Sequence, residues 1–167
     1  MKFKLIIISA LLSFSVLTCG CGKDAELTKY EEEVTAFIDS VGDIKLQMEE
    51  IDINSDSAIV DTLICLDQMQ EQFYLLSEMD VPKEFASVES LADEASEYMT
   101  EAVAIYHEVF EADEYDATNA DVAAQNYDRA MKRLSYISIL LQGELPEDEN
   151  LIITEEEVLD FEPVTEE

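Results

Sequence analysis

Apolar residues recur along this chain at alternating steps of three and four. They fall at Leu27, Tyr30, Val34, Phe37, Val41, Ile44, Met48 and Ile51, a heptad spacing that predicts an amphipathic helix. Gly42 interrupts the outer face of this helix and marks a candidate bend. A second run, roughly Ser57 to Met79, sets Ile59, Leu63, Leu66, Met69, Phe73 and Leu76 on one side, and Val60, Ile64 and Leu75 widen that apolar face. Val81-Pro82 separates it from a third run, with Pro82 suited to a first helical position. The third reads Phe85, Val88, Leu91, Ala95, Tyr98, Ala102, Ile105 and Val109, and the fourth Ala120, Ala123, Tyr127, Ala130, Leu134, Ile137 and Leu141. Gly143 supplies a C-terminal cap and Pro146 prevents continuation.

Short polar connections make sequential helices pack antiparallel. The expected fold is therefore all-α: an up-down-up-down four-helix bundle over residues 27–143. A three-helix bundle with one peripheral segment is the alternative. Composition agrees with long helices, because four glycines and three prolines are too few for a strand-and-turn architecture. Hydrophobic residues make up 48% of the 167, enough for a packed core. Residues 144–167 differ in kind, with eleven acids, no base, and apolar islands at Leu151-Ile152-Ile153 and Val158-Leu159-Phe161. They read as a mobile acidic tail.

The start of the chain carries an address. Lys2 and Lys4 precede an unbroken apolar run from Leu5 to Leu17, shorter than the roughly 20 residues a spanning helix requires. This is the layout of a secretory signal peptide. The run closes on Leu17-Thr18-Cys19-Gly20-Cys21-Gly22, and here the chain resembles bacterial lipoprotein precursors. The resemblance implies removal of residues 1–20, diacylation of Cys21 as the new N-terminus, a tether over 21–26, and residence on the outer face of the cell membrane. Gly20 supplies the small residue before Cys21; Cys19, preceded by Thr18, is the less usual site. Thr18 also stands three residues before Cys21, where Leu is commonest. The mature part resembles small helical lipoproteins of Gram-positive bacteria in layout alone.

Charge narrows the partners. Forty acids against nine bases give −31, and loss of Lys2 and Lys4 with the leader takes this to −33. Nucleic acid is excluded, since phosphate binding needs a basic face. Candidate chemistry is sparse. His107 is the single histidine, and Ala104 occupies the place a Glu-x-x-His pair needs, so it reads as solvent-facing. No glycine-rich loop can cradle a phosphate. Asp52-Ile53-Asn54-Ser55-Asp56-Ser57 imitates a calcium loop, but Ser57 replaces the sixth-position Gly and Leu63 the bidentate Glu; Asn54, Ser55 and Asp56 read as a helix-capping turn. No cofactor, metal or catalytic residue is expected. Cys65 reads as a small buried hydrophobe.

Three surface features remain. Glu94, Glu97, Glu101 and Glu108 form an anionic side of the third helix. Arg129, Lys132 and Arg133 are the one basic cluster, suited to surface ion pairs or to receiving the acidic tail. Beside its main seam the third helix carries Met99, Val103, Tyr106 and Phe110. This stripe is either a widened core face or, with Tyr136 and Leu140, a groove for a partner helix or a small apolar ligand. The function expected is a non-enzymatic binding or scaffold module for another extracytoplasmic protein. Weak sequestration of divalent cations, cationic peptides or a small apolar ligand is the alternative.

Overall fold

The computed structural model describes residues 25–146; the leader, Cys19, Cys21, the tether up to Asp24 and the acidic segment from residue 147 lie outside the described residues. Four helices follow one another: α1 (Ala25–Glu50), α2 (Ala58–Ser77), α3 (Ala86–Glu111) and α4 (Ala117–Leu140). The longest, at 26 residues, span about 39 Å at 1.5 Å per residue. The fold is the all-α bundle that the heptads predict. α1 starts at Ala25, inside the expected tether, and runs through Gly42 without a break.

The chain stops and restarts by identifiable means. In the α1–α2 turn, Asn54 N–H donates to Asp52 Oδ1 at 3.0 Å and Ser57 N–H donates to Ser55 Oγ at 3.0 Å. The capping residue of α2 is Ser57, not the preceding triplet, and its hydroxyl donates to Asp61 Oδ2 at 2.8 Å instead of receiving a backbone N–H. Pro82 does not open α3 directly. It leads into a 3₁₀ turn, Lys83–Phe85, closed by Phe85 N–H donating to Pro82 O at 2.9 Å, which places Phe85 in the core 6.0 Å from the Tyr30 ring. Asp116 caps α4, its Oδ1 accepting from Thr118 N–H and Asn119 N–H at 2.9 and 3.1 Å. At the other end Gly143 adopts φ 75°, and paired bonds from Gly143 N–H to Leu140 O and Glu144 N–H to Ile139 O complete a Schellman motif.

Packing is uneven around the bundle. α3 and α4 lie closest together, α2 stands against α3, and α1 is held chiefly by α2. Small residues explain the first: Ala92, Ala95 and Ala102 of α3 and Ala123 and Ala130 of α4 are all buried and let the two backbones approach. Between α1 and α4 the backbones stay apart, and a cleft of about 90 Å³ lies among Val34, Ile38, Ser138 and Leu141. At the centre, Phe37 and Phe73 meet edge to face, centroids 5.6 Å apart.

One expectation about α2 is corrected. Val60, Ile64 and Leu75 do not widen a buried face; they are 57, 49 and 47% exposed, and Ile59, assigned to the seam, is 51% exposed. α2 is apolar on nearly every side, so its sequence has no single hydrophobic direction. The partners α1 and α3 choose the face holding Leu66, Met69, Phe73 and Leu76.

Candidate functional site

The stripe on α3 divides along its length. Met99 and Val103 sit at mid-bundle, 0 and 2% exposed, and Tyr136 and Leu140 of α4 are buried too. This half belongs to the core, so the four positions form no continuous groove. Tyr106 and Phe110 lie two turns further on, toward the end of the bundle, and both remain partly exposed. Their rings stack with centroids 5.8 Å apart and planes 7° from parallel.

Antiparallel topology brings the C-terminal ends of α1 and α3 together with the N-terminal ends of α2 and α4. At this end Met48 of α1, Thr62 and Leu66 of α2 and Tyr127 of α4 join Tyr106 and Phe110 around a cavity of about 300 Å³. All four helices contribute, so the pocket exists only in the folded bundle. Met48, Leu66 and Tyr127 are visible in sequence as seam residues, and Thr62 carries no signal. What would have found them is their axial level: antiparallel helices bring the C-terminal halves of α1 and α3 beside the N-terminal halves of α2 and α4. A larger groove of about 420 Å³ between α1 and α2 mixes apolar walls at Phe37, Leu75 and Met79 with charged ones at Lys29, Glu33, Glu78 and Asp80.

The pocket's polar atoms are few. Burial pushes the Tyr106 phenol above its ordinary value, and Asp128 and Tyr115 add to the shift. Burial raises Tyr127 likewise, reinforced by Tyr106 and Asp128. Both hydroxyls therefore stay protonated at neutral pH and each offers a donor. Thr62 spends its hydroxyl hydrogen on Ala58 O at 2.8 Å, within its own helix.

Beside the pocket a clasp joins α2 to α3. His107 is not simply solvent-facing: its Nε2 lies 2.8 Å from Asp67 Oδ1 and its Nδ1 3.0 Å from Glu111 Oε1. The bonds to Glu111 and Asp67 raise the imidazole pKa, against a smaller opposing effect of burial. A raised folded pKa means the clasp contributes fully below the unfolded value of about 6.5 and is lost as pH rises through the folded value. No other histidine competes in this window, and burial followed by Asp61 pushes the Cys65 thiol up, away from it. The urea midpoint should therefore fall between pH 6 and pH 9 in the native chain and stay flat over that range in His107→Gln. An equal fall in both chains would remove the clasp as its source.

The charged surface is more structured than a solvated face. Arg133 Nε donates to Glu94 Oε2 at 2.9 Å, an ion pair between α4 and α3 of the kind expected for the basic cluster. Asn126, the one buried polar residue among those described, donates to Glu101 Oε2 at 3.2 Å and accepts from Arg129 Nη1 at 3.3 Å. Two of the four acids on that side of α3 thus bind α4 groups. Arg129 and Arg133 also stand 5.6 and 5.3 Å from the Tyr98 ring centroid, and Lys132 5.5 Å from that of Tyr136. Cys65 is buried. No protein-family model matches this chain, and neither a curated protein nor a solved structure does.

Proposed function

We infer that this chain is a lipid-anchored, non-enzymatic binding module that takes a small ligand into the Tyr106–Phe110–Tyr127 pocket on the outer face of the cell membrane. The pocket is the observation that carries the reading: an apolar, aromatic-walled cavity built by all four helices. A docked partner helix is less favoured, because Met99, Val103, Tyr136 and Leu140 are spent inside the core. Binding is favoured over catalysis by the state of the two reactive side chains. His107 is tied between two carboxylates, and the Cys65 thiol is buried with its pKa raised, which disfavours the nucleophilic thiolate. The address rests on the leader and on Cys21, whose two acyl chains would hold the chain stably on a bilayer.

Ring-labelled tyrosine NMR of the full chain tests this reading against a panel of small neutral, anionic and cationic molecules. At least one class should shift Tyr106 and Tyr127 together and saturably while leaving Tyr74, 55% exposed on α2, in place. If no member moves the two pocket rings, or if Tyr74 moves equally, the pocket is not a binding site. In cells expressing the full chain, labelled palmitate should be incorporated and lost in Cys21→Ala; label that persists there but is lost in Cys19→Ala would move the anchor to Cys19, and no label in the native chain would remove it.

A further inference from the structure

Three of the six side chains around the pocket are aromatic, and none of the six carries a formal charge. The faces of tyrosine and phenylalanine rings bear partial negative charge and attract a cation placed over them. The chain already uses this attraction elsewhere, where Arg129, Arg133 and Lys132 stand over Tyr98 and Tyr136. Those bases stand over other rings, and among the described residues no lysine or arginine lines the Tyr106–Phe110–Tyr127 wall.

The surroundings of the pocket are acidic. Asp128 acts electrostatically on both Tyr106 and Tyr127. Glu111, Asp113, Glu114 and Asp116 occupy the end of α3 and the loop after it; Glu49 and Glu50 close α1, and Asp52 and Asp56 stand in the turn that follows it. A concave apolar site in a largely acidic end of the bundle lies in a field that favours counter-charged ligands. Anions are repelled. A neutral hydrocarbon gains desolvation alone. A bare metal ion needs carboxylate or imidazole ligands, whereas these walls offer only neutral hydroxyls, and among the described residues no group of three or more His, Cys, Asp or Glu side chains is placed to hold one. An ammonium whose charge is spread over methyl groups satisfies both features, since it is weakly hydrated and has an apolar surface.

Resting on the binding reading above, we propose that the Tyr106–Phe110–Tyr127 pocket binds a small organic cation, a methylated ammonium group on a short apolar stem. Choline and its uncharged isostere 3,3-dimethylbutan-1-ol are the probes, titrated into the full chain at constant ionic strength and followed by the tyrosine ring signals. Choline should bind at least tenfold more tightly than the isostere. Phe110→Ala and Tyr127→Leu should each weaken it tenfold or more, while Tyr127→Phe, which keeps the ring, should retain it; circular dichroism confirms that each variant is folded. Equal affinity for choline and the isostere overturns the proposal, as does a choline response reproduced by sodium chloride, or unchanged binding in a folded Phe110→Ala chain. If neutral panel members bind and choline does not, the cationic ligand class falls and the pocket reading stands. If nothing binds, both fall.

Discussion

Phe73→Ala is expected to lower the free energy of unfolding by about 3–5 kcal/mol, the range for deleting a fully buried aromatic ring. Phe73 is 0% exposed and meets Phe37 of α1 edge to face at 5.6 Å. α1 is held chiefly through α2, so this ring pair is a principal tie between α1 and the rest of the bundle. A domain of this size has only about 5–15 kcal/mol in total, so the variant should sit near the edge of folding at 25 °C. Urea unfolding monitored at 222 nm measures it, with Tyr74→Ala as the control. Tyr74 is the next residue but is exposed, so its loss should cost well under 1 kcal/mol. Comparable losses in the two variants would mean that α2 presents a different face to α1.

That contrast shows what the sequence could and could not reveal. Heptads on α1, α3 and α4 point one way because polar residues occupy the opposite face, and the structure buries the predicted side in each: Val34 and Phe37, Val88 and Ala95, Ala130 and Ile137. α2 lacks that opposition. Ile59, Val60, Ile64 and Leu75 are as apolar as Leu66 or Phe73, so periodicity alone cannot tell the buried set from the exposed one. The ends of the elements were legible where local chemistry decides them, as at Gly143, whose positive φ few other residues tolerate. They were less so at Pro82, where a 3₁₀ turn that seats Phe85 comes between the proline and α3.

The pocket end was half legible for a related reason. A helical stripe records which direction a side chain points but not how deep it sits along the rod. Met99 and Tyr106 share a stripe, yet one is fully buried and the other partly exposed. Depth follows from topology: once the helices alternate in direction, residues near one pair of loops must share one end. Tyr127 could have been placed beside Tyr106 on that argument. The His107 clasp could not, because Asp67 lies forty positions away on a face that α2's sequence leaves undefined.

The same division along α3 sets up the second large effect. Val103→Asp should destabilise the bundle by about 3–5 kcal/mol or more at neutral pH, whereas Phe110→Ser on the same stripe should leave a cooperative, helical fold. Val103 is 2% exposed and its neighbours Met99 and Ala102 are fully buried, so an introduced carboxylate would lose its water without finding a partner. Burial would lift the new carboxyl's pKa in the folded state. The sign follows: the added penalty is full well above the folded value, shrinks as pH falls through it, and vanishes below the unfolded value of about 3.9. Thermal unfolding of Val103→Asp against the native chain at pH 7 and pH 5 should therefore show the gap narrowing toward acid. A gap that stays constant would mean the damage is steric, and a small gap at both values would place Val103 on the surface with Tyr106 and Phe110. In that case the two halves of the stripe would form one continuous groove, and a docked helix would return as the better occupant of this face.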